Sequence, residues 1–309
     1  MGGYAISVRT GSCPRRRKTS SSANGSGTGA CTYKQIFTPL YGRGLTYSNM
    51  KNLALYDELV ESHLADVTSR QSSEKQVTLV TIGQQLLKEY GFTQHQTYLR
   101  PSHPEPEKRT SALGTMVCVL ISLRTTLENE RIATTRLFSA FPDPRMLVKV
   151  PQEIIAEHIM PAGMATKKAR VIQQAVAFIC REYGSDFEEL RGKTVGKMRE
   201  MLLEVPGIGP KAADCILELG LDVPSFVVDV NVFRFTARYF GVLGDDPLDT
   251  GNAEQLAQVK VFLEEDLLKD ALLFQVLHTV YLLHGKMVCK SVPKCRTCLL
   301  RDTCITYRS

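Results

Sequence analysis

The sequence lacks any apolar run that approaches the roughly 20 residues needed to cross a bilayer. It also lacks an N-terminal stretch with the long apolar core of a secretory signal. Its nine cysteines are an odd number with four near one end, which argues against a secreted disulfide scaffold. No segment of useful length alternates apolar and polar residues as a strand does. We therefore expect an intracellular all-α protein with no membrane contact.

Acidic residues are missing from residues 1–56, which hold eight Lys or Arg residues. The whole chain has 38 basic and 32 acidic residues, so residues 57–309 hold 30 and 32, a net charge of −2. The body of the protein is therefore not basic overall. Any surface that binds nucleic acid must be a local patch.

Residues 1–32 are rich in Ser, Gly and Thr and carry a basic cluster at residues 15–18. Such a composition cannot build a core, whereas residues 33–72 are ambiguous. Together, residues 1–72 are predicted to be a disordered or poorly ordered basic extension. Within it, Leu53 to Leu64 has the spacing of a short amphipathic helix. The extension has the composition of a solvated tail, of a transit peptide, or of a nuclear signal or non-specific DNA contact.

Apolar residues recur at helical spacing along most of the remaining chain. The predicted helices are 77–90, 110–124, 129–141, 151–158, 167–183, 195–204, 230–240, 253–263 and 267–284, with a proline-rich loop at 95–108.

The segment 205–215 predicts a tight turn between two helices. Gly207 and Gly209 allow a turn too close for side chains, and Pro210 suits the first position of the following helix. That helix points unpaired N–H groups outward, and the glycines let a phosphate approach them. Lys211 lies in its first turn, where its charge opposes the helix dipole. The alternative is an ordinary helical hairpin with a surface lysine.

Asp229 lies in an apolar run, where a carboxylate is costly unless it has a partner. It suits the N-cap of the helix from Val230. A cap carboxylate at a buried cleft can also stabilise positive charge, so the two interpretations are compatible.

Four cysteines lie within 16 residues, with spacing Cys289-x5-Cys295-x2-Cys298-x5-Cys304. Such a cluster indicates metal. Zinc usually takes two close cysteine pairs, whereas only one pair is close here and the wide flanking gaps favour a 4Fe-4S cluster. Zinc and free cysteines remain the alternatives. Residues 286–309 hold six basic residues and one acid, a basic loop.

Pro206-Gly207-x-Gly209-x-Lys211-x-Ala213, followed by Val228-Asp229-x-Asn231, resembles the helix-hairpin-helix DNA glycosylases, in their endonuclease III branch. The likeness covers roughly residues 110–304. It implies two interleaved helical lobes: a six-helix barrel with the hairpin at 109–221, and a second lobe from 73–108 and 222–309 that holds the cluster loop 289–304. The usual cysteine spacing in that family is six, two and five, so this chain departs from it by one residue.

The resemblance also implies residue roles. Lys211 takes the position of the nucleophile and Asp229 that of its essential partner. Arg124 stands where bacterial members have a glutamine that fills the hole left by the flipped nucleotide, although a helix-end salt bridge is the alternative. Met164 takes the place of an apolar wedge, with a core position as the alternative. Gly207, Gly209, Lys167 and Lys168 would contact DNA, as would the cluster loop.

The function implied by the resemblance is base excision repair of double-stranded DNA that contains damaged bases or abasic sites. We expect a monomeric glycosylase with AP lyase (β-elimination) activity, acting on oxidised pyrimidines through a lysine Schiff base. The alternatives are a glycosylase of the same fold for 8-oxoguanine or mismatches, and a non-catalytic DNA-binding protein. The compartment would be cytoplasm or nucleoid in a prokaryote, and nucleus or organelle in a eukaryote.

Overall fold

The computed structural model describes residues 53–70, 73–91, 110–184, 186–265 and 267–308. The basic segment 1–52 and the proline-rich loop 95–108 lie outside these ranges. Within them the chain forms helices and turns and no strand, which confirms the predicted all-α fold. None of the helices in these ranges is both long and apolar enough to cross a bilayer.

The described α-helices are numbered in chain order. The nine helices predicted between residues 77 and 284 have ends within four residues of the observed ones, whereas the helix predicted at Leu53 to Leu64 continues to Ser69. They are α1 (Leu53–Ser69), α2 (Glu74–Tyr90), α3 (Ala112–Ser122), α4 (Leu127–Ala140), α5 (Gln152–His158), α6 (Ala165–Glu182), α7 (Val195–Leu203), α8 (Pro210–Cys215), α9 (Val230–Phe240), α10 (Ala253–Glu264), α11 (Ala271–Met287) and α12 (Ile305–Arg308).

Short polar side chains fix where most of these helices begin, because each accepts an N–H bond that the first turn leaves unmade. These N-caps are Ser73, Ser111, Thr126, Thr194, Asp229, Asn252 and Asp270. Each is worth about 1 kcal/mol. The start of each of these helices is therefore set by local sequence.

The first hydrophobic core lies within helices α3 to α8. Helix α3 is buried along nearly its whole length, as expected of a central helix that is apolar all round. Around it pack the inward faces of the neighbouring helices, which include Leu137, Ile172, Ile179 and Ile216. This body carries the hairpin on its surface.

The second core joins α1 and α2 to α9, α10 and α11, with Phe235 and Tyr281 fully buried among them. Val60, Leu64 and Val67 of α1 are buried in it. The prediction that poorly ordered chain extends to residue 72 was therefore wrong for α1, which covers the second core. Within the described residues, α1 and α2 lie in this core, α3 to α8 lie in the first, and residues 222–229 return to the second.

Helix α8 continues into a π-helical turn, Ile216–Gly220, that meets the second core. There the Glu218 carboxylate lies 2.8 Å from His278 Nδ1, and the amide of Gln275 donates to the Glu218 carbonyl. The far end of the hairpin's second helix is thus fixed by α11.

Candidate active site and cluster loop

The hairpin between α7 and α8 requires glycine at Gly207. Its φ is +82°, and a Cβ there would lie 2.2 Å from the Val171 side chain. Gly209 is the extended residue before α8, and Pro210 opens the helix as predicted. Lys211 follows in the first turn with an exposed side chain. The hairpin therefore presents a lysine and free backbone N–H groups on its outer surface.

Asp229 is the N-cap of α9, which confirms the predicted cap. One carboxylate oxygen accepts the N–H groups of Asn231 and Val232, both at 2.8 Å, and the other accepts the Asn231 side-chain amide at 3.0 Å. Gly285 lets α11 pack against the Asn231 carbonyl, since a Cβ there would lie 2.3 Å from it. The carboxylate is 9% exposed and firmly held.

Cys215 shows that the two candidate catalytic charges lie in one neighbourhood. The thiol is buried one turn after Lys211, and burial raises its pKa to about 12. The Lys211 ammonium opposes that rise in pKa, while the Asp229 carboxylate adds to it. Both charges therefore act on the same thiol, although 18 residues separate them in the sequence.

Glu130 is a buried carboxyl near Lys211 that the sequence reasoning missed. It lies on α4, is 5% exposed, and burial raises its pKa to about 7, against the opposing charges of Lys211 and Lys168. The signal was available in the sequence, because Glu130 falls on the inward period of α4 with Ala133, Thr134 and Leu137. A carboxyl group near Lys211 is thus able to exchange a proton near neutral pH.

Asp214 joins the hairpin helix to the segment that leads into the second core. Its carboxylate, 4% exposed, accepts from Arg199 at 2.8 Å and from the Ser225 hydroxyl at 2.9 Å, with Lys260 Nζ at 3.4 Å. It lies three residues after the candidate nucleophile, and Ser225 lies four residues before the cap aspartate. This buried ionic network holds the two parts of the site together.

Arg124 and Met164 lie in the loops before α4 and α6. Both have left-handed backbone, with φ of 53° and 49°, which is uncommon for residues with side chains. Met164 is 47% exposed, so the core alternative was wrong. Arg124 is also exposed, and its ion-pair alternative finds no partner among the described residues. Both side chains are free to contact a ligand.

Lys168 does not occupy the predicted surface position. It is 6% exposed, and its ammonium donates to the carbonyls of Ile121 at 2.7 Å and Ala162 at 2.8 Å. The prediction of a phosphate contact was wrong for this residue, because Lys168 falls on the buried period of α6, four residues before Ile172. Its neighbour Lys167 is exposed.

The four cysteines of the loop line one apolar cavity of about 70 Å³. A single water needs roughly 10–15 Å³ of such space, so the cavity has room for a group of several atoms. Among the described residues no three His, Cys, Asp or Glu side chains converge closely enough to hold one ion. Four thiols around a space of this size fit a cluster of several atoms, and zinc remains the alternative.

Polar groups surround these thiols. His284 Nε2 lies 3.5 Å from Cys298 Sγ, and its Nδ1 pairs with the Tyr90 hydroxyl at 2.9 Å. Arg238 approaches Cys289 Sγ at 3.8 Å and binds loop carbonyls. On the outside, the four basic residues of the loop, at positions 290, 294, 296 and 301, and the two that flank it, at 286 and 308, are all exposed.

Comparison with known proteins adds evidence from outside the chain. The sequence model of the HhH-GPD superfamily, described as base excision DNA repair proteins, matches residues 117–259. Endonuclease III of Thermotoga maritima is 29% identical over 206 residues, 66% of this chain and 88% of the relative. Endonuclease III of Escherichia coli K12 is 26% identical over 214 residues, 67% of this chain and 92% of the relative.

Solved structures agree on the fold. A trapped covalent endonuclease III–DNA intermediate superimposes with a TM-score of 0.58 at 22% identity, covering 77% of this chain and 98% of that one. A thermostable thymine-DNA glycosylase gives 0.58 at 17% identity, with 76% and 96% covered. At such low identity these likenesses show the architecture alone.

Proposed function

Because the chain belongs to the HhH-GPD superfamily of base excision DNA repair proteins, in its endonuclease III-like branch, we propose that Lys211 carries its chemistry. The protein is a DNA glycosylase with associated AP lyase activity. Its substrate is double-stranded DNA with an oxidised pyrimidine or an abasic site, bound by a monomer inside the cell. The observation that carries the proposal is the position of Lys211, which is exposed in the first turn of α8. Its charge and that of the buried Asp229 carboxylate both act on the Cys215 thiol.

A base inside a duplex cannot be reached, so the damaged nucleotide must be flipped out first. Arg124 fills the space that it leaves, because a guanidinium can stack and donate several hydrogen bonds. Met164 wedges between bases, and Lys167 contacts a phosphate. Free N–H groups at Gly207, Gly209 and the start of α8 bind another phosphate.

Lys211 then acts as nucleophile through its neutral amine. A bond forms between Nζ and C1′ of the sugar, the bond from C1′ to the base breaks, and the base leaves with the bonding electrons and gains a proton. Opening of the sugar ring leaves an imine. Loss of a proton from C2′ breaks the bond from C3′ to its phosphate oxygen, which cuts the strand on the 3′ side.

Asp229 stabilises the positive charge that develops on the sugar and accepts a proton from the lysine. Three N–H donors hold its carboxylate in place. The charge is therefore preorganised and needs no rearrangement during the reaction.

Cys289, Cys295, Cys298 and Cys304 fit a 4Fe-4S cluster, with zinc as the alternative. When bound, such a cluster fixes a loop that has little regular structure of its own. The protein's part is to hold the four basic side chains of that loop, and the two that flank it, against DNA phosphates.

The experiment uses the full-length protein and a panel of duplexes with an oxidised pyrimidine, 8-oxoguanine, a mismatch or an abasic site. Borohydride added during turnover should trap a covalent protein–DNA adduct that peptide mapping places at Lys211. The Lys211→Gln variant should lose trapping, whereas the control Lys197→Gln, an exposed lysine on α7 paired with Glu200, should keep it. Trapping that survives Lys211→Gln would overturn the assignment, and a preference for 8-oxoguanine would overturn the proposed substrate.

A further inference from the structure

Lys168 is a buried lysine between two loops that reach the surface. Its ammonium binds two carbonyls, and both lie at the C-terminal end of a helical segment. Ile121 belongs to the last turn of α3, and Ala162 is the last residue of the 3-10 turn Met160–Ala162. Carbonyls at such ends have no partner within their own helix. A positive charge there is also favourable to the dipole of α3.

The candidate DNA-contacting residues follow directly after these carbonyls. Arg124 is three residues after Ile121, and Met164 is two residues after Ala162. Both are exposed and left-handed, a strained conformation that persists only where the surroundings fix it. The Lys168 ammonium is the group that joins the two loops at their bases.

We propose that Lys168 is a positioning residue for base flipping, which sets the separation of the Arg124 and Met164 loops so that both side chains enter the duplex together. The proposal rests on the proposed function, since it explains how the same cleft captures a nucleotide. Lys168 itself touches no DNA in this scheme.

The chemistry of the site requires a lysine rather than an apolar residue. An ammonium offers three donors on a flexible stem and can bind two carbonyls at once. An apolar side chain of the same length would leave both carbonyls buried and unpaired. Burial lowers the pKa of Lys168, and the Glu130 carboxyl, when ionised, opposes that change and favours the ammonium.

The test compares Lys168→Met with Lys167→Met and with Asp270→Asn in the full-length protein. Asp270 is a buried carboxylate paired with His63 in the second core, so its variant controls for lost stability. The duplex carries 2-aminopurine opposite a stable abasic-site analogue, and unstacking raises its fluorescence. Single-turnover base release, from a second duplex that carries an oxidised pyrimidine, and the salt dependence of binding are measured alongside.

Lys168→Met should abolish the fluorescence rise and slow base release at saturating protein by about tenfold or more, with the salt slope of binding unchanged. Lys167→Met should instead weaken the binding of damaged and undamaged duplexes alike and flatten the slope by about 0.9. Asp270→Asn should keep the fluorescence rise. Should Lys168→Met fail to fold, Lys168→Gln, which retains one amide donor, should give a partial rise.

A Lys168 variant with normal fluorescence and normal base release would overturn the proposal. So would a salt slope that falls for Lys168→Met as it does for Lys167→Met, because the ammonium would then reach a phosphate. Absence of any fluorescence rise and of imine trapping in the unaltered protein would instead refute the proposed function, which separates the two failures.

Discussion

The carboxylate of Asp229 caps a helix and, in our proposal, also carries the charge that the reaction needs. Asp229→Asn separates these roles, because asparagine also caps helices but brings no negative charge. We expect the thermal midpoint to shift by only a few degrees, while single-turnover base release falls by at least about 100-fold. Circular dichroism and quenched-flow assays would measure the two effects.

An Asp229→Asn protein with unaltered activity would show that the carboxylate is only a cap. The matched control is Asp270→Asn, since Asp270 is likewise a buried N-cap, of α11. It should lose comparable stability and keep the rate.

Glu130 gives stability a dependence on pH that can be predicted. Its pKa in the folded protein is about 7, above the ordinary value of 4.5, so folding favours the protonated carboxyl. The stabilisation is complete below pH 4.5 and is lost as pH rises through 7. Glu130→Gln resembles the protonated form and does not titrate. The unfolding free energy of this variant minus that of the unaltered protein should therefore increase by on the order of 2 kcal/mol from pH 5 to pH 8.

Denaturant unfolding at the two pH values measures this difference, with Glu128→Gln as the control, because Glu128 is exposed on the same helix. An equal response of the two variants would mean that Glu130 titrates as a surface carboxyl.

Single residues were the hardest scale to predict from sequence. Lys167 and Lys168 are neighbours of the same type, and only their phase on α6 separates an exposed lysine from a buried one. Asp214 could not be assigned either, since Ser225 and Lys260 reach it only through the tertiary fold. Asp229 was predictable because its role as a cap is decided within three residues.

At the scale of elements, the cluster loop predicts an iron and sulfide content that can be measured. Purified protein should hold about four iron and four sulfide per chain, with a broad absorbance in the blue. Cys295→Ser should lose most of the iron, while Cys180→Ser, outside the loop, should retain it. One zinc per chain with no sulfide would contradict the cluster.

Helices were predictable because their apolar period and their caps are local. The π-helical turn Ile216–Gly220 was not, since it depends on Glu218 meeting His278 across the two cores. Helix α1 was only partly recognised, because it is stable as a cover for the second core rather than by its own pattern. The cavity of the cysteine loop likewise depends on His284 and Arg238, which lie on other helices.

At the scale of the whole molecule, the chain passes from the second core to the first and back. Lys211 lies on α8, in the first core, and Asp229 lies where the chain enters the second core again, at the start of α9. The site therefore forms only when both cores are in place, which links folding to activity. The hydrogen bond from Ser225 to Asp214 and the ion pair of Asp214 with Lys260 hold the two parts in register across this junction.

Net charge is distributed unevenly along the chain. The net charge of +6 comes from residues 1–56, and the rest of the chain is slightly acidic. DNA affinity should therefore depend on the first residues, the cluster loop and Lys167.

Removal of residues 1–32, which takes away five Lys or Arg residues, should weaken binding and lower the slope of log affinity against log salt by as much as about 4. Base release at saturating protein should be unchanged, because the cleft is intact. Replacing the same five residues with glutamine, at constant length, should reproduce the effect if charge is its cause. If truncation stops base release even at saturating protein, these residues contribute to the chemistry and not only to binding.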